Sequence, residues 1–148
     1  MMEQLSSNSI IFGSFNLMEP RSRRLSVPAA DDPAGRCVRA LQRQMQHQIC
    51  RASAAAWKGV PASALLRPER NAAAIVQARH TAIYLAHVVF GCSLTRAGAM
   101  VGRDRTSARH ACLRIEERRE LPRVDRALDA LEAAIDIWFR TFGTGEAT

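Results

Sequence analysis

Residues able to contact another molecule are concentrated in a short basic segment in the second half of the chain. This segment contains Arg103, Asp104, Arg105, Thr106, Ser107 and Arg109. Aspartate is a preferred N-cap residue, so Asp104 predicts a helix whose first turn presents guanidinium and hydroxyl groups. Arginine can form two hydrogen bonds with guanine, and hydroxyl groups suit base edges and phosphates. The segment predicts a helix end that enters a groove of double-stranded DNA, with Asp104 either capping the helix or accepting a hydrogen bond from cytosine.

The elements that must position this segment are three helices between Gln77 and Glu117. The sequence there has the order helix, tight turn, short helix, turn and basic helix, which a helix-turn-helix DNA reader requires. Apolar residues at helical spacing can form one seam shared by the three helices. They are Leu85, Val89, Phe90, Leu94, Val101, Ala108, Cys112 and Ile115. Burial of this seam would leave the arginine-rich start of the third helix facing outward.

The same stretch resembles a known family. The residues SLTRAGAMVGRDRTSARHA, followed by CLRIE, are similar to the signature of the C-terminal DNA-binding domain of the bacterial replication initiator DnaA. Upstream, Ala78 and Arg79 resemble the family's basic loop, and the residues from Ala82 to Ala86 resemble the helix after it. The resemblance covers about residues 48 to 140. It implies an all-α helix-turn-helix bundle of the Trp-repressor type.

The resemblance also implies roles for individual residues. The resemblance implies that the major groove is read by Arg103, Asp104, Arg105, Thr106 and Ser107. We add Arg109 to this group because it is a further cation in the first turn of the same helix. Contact with the DNA backbone is implied for Arg79, His87, Leu94 and Thr95. We expect Arg105 to Arg109 to dock in the major groove and Arg79, His87, Thr95 and Arg103 to anchor the domain.

This chain departs from the family pattern at several positions that affect base preference. Arg105 stands where the family has histidine, Ser107 where it has threonine, and one glycine is missing before Arg103. Gln77 occupies the position of a basic-loop arginine that enters the minor groove in the family. Loss of that cation should weaken readout of A·T-rich sequence. Two residues nearby, Arg67 and Arg70, either replace it or belong to a solvated loop.

Charge is unevenly distributed over the 148 residues, whose net charge is +7. Residues 67–119 contain ten arginines and four acidic residues, whereas the residues from 120 onward contain three arginines and six acidic residues. This asymmetry favours one basic face for DNA and a remote acidic face. Because almost every cation is arginine and alanine is abundant, a GC-rich genome is an alternative cause of the basic composition.

Other classes of site find little support in the sequence. No G-x-x-x-x-G-K-[ST] motif is present and Lys58 is the only lysine, so we expect the chain to bind neither a nucleotide nor another cofactor. We therefore expect a standalone DNA-binding protein. The four cysteines lack metal-ligand spacing, which indicates reduced thiols. The histidines have no matched nucleophile, so we expect no enzyme. No segment approaches the length of about 18 apolar residues that a membrane span needs, so we expect a cytoplasmic, nucleoid-associated protein.

The chain divides into three predicted parts: a flexible arm over residues 1–33, a helical domain over residues 34–143 and a flexible tail over residues 144–148. An amphipathic helix is predicted from about 36 to 57, with the apolar stripe Val38, Leu41, Met45, Ile49, Ala52 and Ala56. Its excess length is expected to pack on the domain, with pairing to a partner subunit as the alternative. Pro122 is expected to start the last helix, whose stripe is Val124, Leu128, Leu131, Ile135, Trp138, Phe139 and Phe142.

These observations together predict sequence-specific binding of double-stranded DNA. The expected targets resemble the DnaA box, and the expected role is regulation of replication initiation or transcription. The alternative is a protein-interaction adaptor that keeps the fold but binds DNA weakly and without specificity. Either function is compatible with a homodimer or with a protein partner from replication or transcription.

Overall fold

A computed structural model describes residues 33–68 and 72–143. Their α-helices are α1 (Pro33–Lys58), α2 (Ala73–Phe90), α3 (Leu94–Ala99), α4 (Arg105–Arg119) and α5 (Pro122–Trp138). A 3₁₀-helix (Ala62–Leu66) joins α1 to α2, and a π-helical turn (Phe139–Gly143) follows α5. The all-α prediction is confirmed. The predicted arm and tail lie outside the described residues, except that Pro33 already begins α1. No helix among the described residues is long and apolar enough to cross a membrane.

Helix α2 lies at the centre of the bundle and contacts each of the other four helices. Its residues from Ala82 to Ala86 are all at least 99% buried. Such burial on every side requires a helix that is apolar all round. The predicted seam is also confirmed, because its members are either buried in this core or partly buried against it. Packing on α2 therefore fixes α3 and α4 relative to one another.

Two glycines shape the connection from α3 to α4. Gly102 has a φ of 67°, a left-handed conformation that glycine adopts without steric cost. Gly98 lies so close to the start of α4 that a Cβ atom there would be 2.7 Å from the carbonyl oxygen of Arg103 and 3.2 Å from the Cβ of Ala108. The absence of a side chain at Gly98 therefore lets α3 pack directly on the turn and on α4.

Arg119 joins α2, α4 and α5 at the end of α4 remote from its first turn. Its Nε donates a 2.9 Å hydrogen bond to the hydroxyl of Tyr84 on α2. Its Nη1 lies 2.6 Å from a carboxylate oxygen of Asp125 and 2.9 Å from one of Asp129, and Glu132 is a further partner. Three of the four acidic residues of α5 thus cluster at the opposite end of α4 from the basic segment.

The apolar stripe predicted for α1 is wrong in most of its members. The buried residues of α1 are Cys50, Ala54 and Ala55, while Ala52 and Ala56 are exposed. The reason is a rotation of the helix, which turns the Cys50–Ala54 face toward α2. Val38 and Leu41 are 51% and 56% exposed, so the excess length of α1 does not bury its apolar side chains on the domain.

The stripe predicted for α5 is confirmed over most of its length. Leu128, Ile135 and Phe139 are buried, and Phe139 packs edge-on against Phe90 with ring centroids 4.9 Å apart. Pro122 is the first residue of the helix, as predicted. At the far end, Trp138 and Phe142 remain 38% and 65% exposed, so the stripe continues beyond the core that covers it.

Candidate nucleic-acid interface

The start of α4 is held by a side-chain cap. Oδ1 of Asp104 accepts a 2.7 Å hydrogen bond from the backbone N–H of Ser107, and Oδ2 accepts a 3.3 Å hydrogen bond from the Ser107 hydroxyl. These bonds, led by the backbone one, lower the pKa of Asp104. Of the two roles predicted for Asp104, the structure therefore shows the cap. Ser107, which was predicted to read DNA, is half-buried and directs its hydroxyl to this cap.

The outer side of the first turn of α4 presents the remaining members of the predicted reading group. Arg105, Thr106 and Arg109 are exposed, whereas Ala108 and Ala111 face the core. This separation follows from helical periodicity, because the two alanines lie on the face that packs against α2 and α3. The three exposed side chains combine two guanidinium groups with one hydroxyl and one methyl group. Guanidinium, hydroxyl and methyl groups are all suited to contacts with base edges.

Arg103 and Arg79 both contact the segment that precedes α2. Nη2 of Arg103 donates to the carbonyl of Pro68 at 3.4 Å. Nε of Arg79 donates to the carbonyl of Leu65 at 2.9 Å, and its Nη2 donates to the carbonyls of Ala64, at 3.1 Å, and Arg67. The two guanidinium groups thereby supply donors to carbonyls at and after the end of the 3₁₀-helix, where helical partners run out.

This placement corrects the anchoring role predicted for Arg79. Its side chain is only 4% exposed, and its donors are occupied by backbone carbonyls. Gln77 and Arg79 also lie within α2, so the prediction that these positions belong to a basic loop is wrong. Arg67 is exposed in the connection before α2, while Arg70 lies outside the described residues. In this structure Arg79 positions the segment beside the reading helix and does not reach outward.

The other residues predicted to contact the DNA backbone lie around the turn from α2 to α3. Nδ1 of His87 donates to the carbonyl of Cys92 at 2.7 Å, which braces this turn and leaves Nε2 as its second donor or acceptor. Leu94 is half-buried at the start of α3, and Thr95 is exposed next to it. The Ser93 hydroxyl caps α3 by accepting from the backbone N–H of Arg96 at 3.3 Å. Leu94 therefore contributes packing, and Thr95 contributes an exposed hydroxyl.

A cleft of about 420 Å³ separates α2 from the start of α4. It is lined by Val76, Arg79, His80, Ile83, Arg103, Thr106, Ser107 and His110. The rings of His80 and His110 meet edge to face with centroids 6.0 Å apart. Burial lowers the pKa of His80, and the nearby charges of His110, Arg114, Arg118 and Arg79 lower it further. The cleft thus has a cationic rim and a histidine that favours the neutral form.

The sequence prediction missed the contribution of α2 to this cleft. Val76, His80 and Ile83 recur at intervals of four and three residues, so they share one face of the helix. That spacing was visible in the sequence, but it could not be distinguished from an ordinary core stripe. His110, at the third position after Ser107, is exposed on α4 and contacts His80 across the cleft.

Comparison with known families identifies this arrangement. Residues 46–115 match the family described as the bacterial dnaA protein helix-turn-helix. This part of the chain therefore resembles that family. No curated protein and no solved structure gave a match to the chain. The DnaA-type match includes the second half of α1, the helix-turn-helix and α4 as far as Ile115. The first thirteen residues of α1 and all of α5 lie outside it.

The DnaA-type helix-turn-helix is a module that binds double-stranded DNA. In this chain the exposed surface at the start of α4 is formed by Arg105, Thr106 and Arg109. Among the described residues, no group of three or more histidine, cysteine or acidic side chains is placed to hold a metal ion. The exposed guanidinium and hydroxyl groups of this surface can donate hydrogen bonds, and the guanidinium groups carry positive charge.

Proposed function

We propose that this chain binds double-stranded DNA with sequence specificity, at sites that resemble the DnaA box, and thereby regulates replication initiation or transcription. The observation that carries the proposal is the first turn of α4, where Arg105, Thr106 and Arg109 are exposed above a cap that fixes their backbone. A helix start of this kind fits the major groove and places its side chains against base edges. No cofactor is needed for this activity.

The proposed contacts divide into those that read bases and those that anchor the protein. Arg105 and Arg109 can each form paired hydrogen bonds with guanine, and Thr106 can donate to a base or place its methyl group against thymine. Thr95, His87 and Arg103 are proposed to contact phosphates, which fixes the register of the helix without reading sequence. Arg79 supports this geometry indirectly, because it holds the segment that Arg103 contacts.

The distribution of charge also supports the start of α4 as the DNA-binding surface. Between Leu94 and Ile115 the chain carries five arginines, and Asp104 is its only acidic residue. Three of the four acidic side chains of α5 are collected around Arg119 at the other end of α4. This separation produces a field that attracts the phosphate backbone toward the reading helix and away from α5. It also predicts association with the nucleoid.

Selection from a duplex pool with a randomised central region tests the specificity directly. The proposal predicts enrichment of one short motif related to the DnaA box after a few rounds at physiological salt. A single module with three base-reading side chains buries limited surface, so we expect a short motif or paired copies of it. Recovery of unrelated sequences would show that the fold no longer reads bases.

One observation favours the adaptor as a second candidate function. Ile137, Trp138 and Phe142 form an exposed apolar cluster at the end of α5, with the rings of Trp138 and Phe142 5.7 Å apart. Exposed clusters of this type mark sites of protein interaction, including a homodimer or a replication or transcription partner. The adaptor predicts that mutation of this cluster changes assembly, measured by light scattering, while DNA binding stays weak and unspecific.

A further inference from the structure

A row of basic residues on α1 begins beside the helix-turn-helix. Arg43, His47 and Arg51 are four residues apart, so they lie on one face of the helix. Nη1 of Arg51 donates a 3.0 Å hydrogen bond to the carbonyl of Met100, in the connection between α3 and α4. The row therefore starts at the turn of the DNA reader and runs from there toward the N-terminal end of α1.

Helix α3 adds a further cation to this row. Burial lowers the pKa of His47, and the charges of Arg96, Arg51 and Arg43 lower it further. Nε2 of His47 is buried and has no hydrogen-bond partner among the described residues. Arg43 and Arg96 are both exposed. Arg43, Arg51 and Arg96 thus lie near enough to the partly buried imidazole of His47 to affect its pKa, and Arg43 and Arg96 face solvent.

Neither helix supplies a negative charge to balance this cluster. Helix α1 carries five cations and α3 carries one, and no aspartate or glutamate occurs in either helix. Converging like charges repel one another unless an anion lies among them. The first helix of a helix-turn-helix, which is α3 in this chain, crosses the DNA backbone. The anion that would meet Arg96 in that orientation is a phosphate of the bound duplex.

We propose that Arg43 and Arg96, held together by the Arg51–Met100 contact, form a second DNA-backbone site that binds phosphates flanking the sequence read by α4. This inference rests on the proposed DNA binding and extends it. The row from Arg43 to Arg51 spans about 12 Å at the helical rise, which corresponds to roughly three to four base-pair steps along the duplex. Arg43 precedes the family match, which begins at residue 46. This chain therefore has a longer footprint than its matched domain alone provides.

Salt dependence on two duplexes tests the second site. The short duplex contains only the motif recovered by selection, and the long duplex extends it by about one helical turn on each side. Binding of the full chain is compared with that of R43Q, R96Q and R126Q, where Arg126 is an exposed arginine on α5. On the long duplex, R43Q and R96Q should each reduce the slope of log K against log salt by about 1. On the short duplex their slopes should equal that of the unmodified chain.

Two variants separate charge from other effects. R126Q should behave as the unmodified chain on both duplexes, because α5 lies at the remote end of α4. R43K should keep the full slope, because phosphate contact needs the charge rather than the fork of arginine. Thermal unfolding should be unchanged in R43Q and R96Q, because both side chains are exposed.

Unchanged slopes for R43Q and R96Q on the long duplex, with intact binding by the unmodified chain, would overturn the second site and leave the proposed function standing. Equal losses on the short and long duplexes would also overturn it, because the contacts would then lie within the read sequence. Failure of the unmodified chain to bind either duplex would overturn both proposals.

Discussion

The Nε atom of Arg79 donates a 2.9 Å hydrogen bond to the carbonyl oxygen of Leu65, fourteen residues earlier in the chain. This bond and its two neighbours join α2 to the 3₁₀-helix before it. An arginine in the stretch that resembles the family's DNA-contacting residues is thus used to hold the segment that borders the reading turn.

Replacement of Arg79 by alanine should destabilise the fold. Three carbonyls would lose a charged donor in a buried position, and the loss of such bonds costs about 2–3 kcal/mol. Urea unfolding followed by circular dichroism measures this change. R79K should not restore stability, because one ammonium group cannot reproduce the geometry of the guanidinium fork. Full stability in R79A, combined with a lower salt slope for DNA, would mean that Arg79 contacts phosphate after all.

Acid should destabilise the protein partly through His80. The pKa of His80 in the folded chain lies below the ordinary value of 6.5. Between these two pKa values the unfolded chain binds the proton more strongly, so stability falls as the pH drops below about 6.5 and is lowest beneath the folded pKa. H80Q removes this contribution. Unfolding free energies at pH 8 and pH 5 should therefore differ less in H80Q than in the unmodified chain, and an equal difference would refute the assignment.

Replacement of Arg105 by alanine should relax base preference rather than abolish binding. A paired arginine–guanine contact contributes about 1–3 kcal/mol of discrimination against the wrong base. Competition between the selected motif and its single-base variants should show this loss at one or two positions. Thr95→Ala is the matched comparison, because a lost phosphate contact weakens all sequences by a similar factor. Uniform weakening by R105A would move Arg105 to the group of backbone contacts.

Substitution of Gly98 by alanine should disturb the reader from a position remote from the bases. The new methyl group would meet the Arg103 carbonyl at 2.7 Å, and overpacking of this kind costs about 1–3 kcal/mol. The displaced α4 should also lose affinity for the selected motif. Gly102→Asn is the control, because asparagine tolerates the left-handed conformation and no atom lies within 4 Å of a Cβ there. Similar affinity in G98A and the unmodified chain would show that the turn can adjust.

The sequence was sufficient to predict the elements that carry strong local signals. Asp104 as an N-cap, Pro122 as a helix start and the seam that includes Leu85 and Ile115 all lie where the pattern placed them. Caps and fixed-φ residues act within one turn of the chain. Their effects can therefore be inferred without knowledge of the tertiary contacts.

The predictions that failed depend on contacts between distant segments. The stripe from Val38 to Ala56 has helical spacing, but the alanine-rich end of α1 offers several faces of similar polarity, and packing on α2 selected the one with Cys50 and Ala54. The role of Arg79 was set by the carbonyls at Ala64 to Arg67, which the sequence does not bring near it in any visible way. Both outcomes required the three-dimensional arrangement.

The most direct test of the central claim is fluorescence anisotropy of the full chain on a duplex that carries a DnaA box and on a scrambled duplex, across a salt series. The proposed function predicts a preference of about 100-fold or more for the box that persists as salt rises, because base contacts depend on salt less than phosphate contacts do. Equal binding of both duplexes, lost steeply with added salt, would contradict box-like specificity.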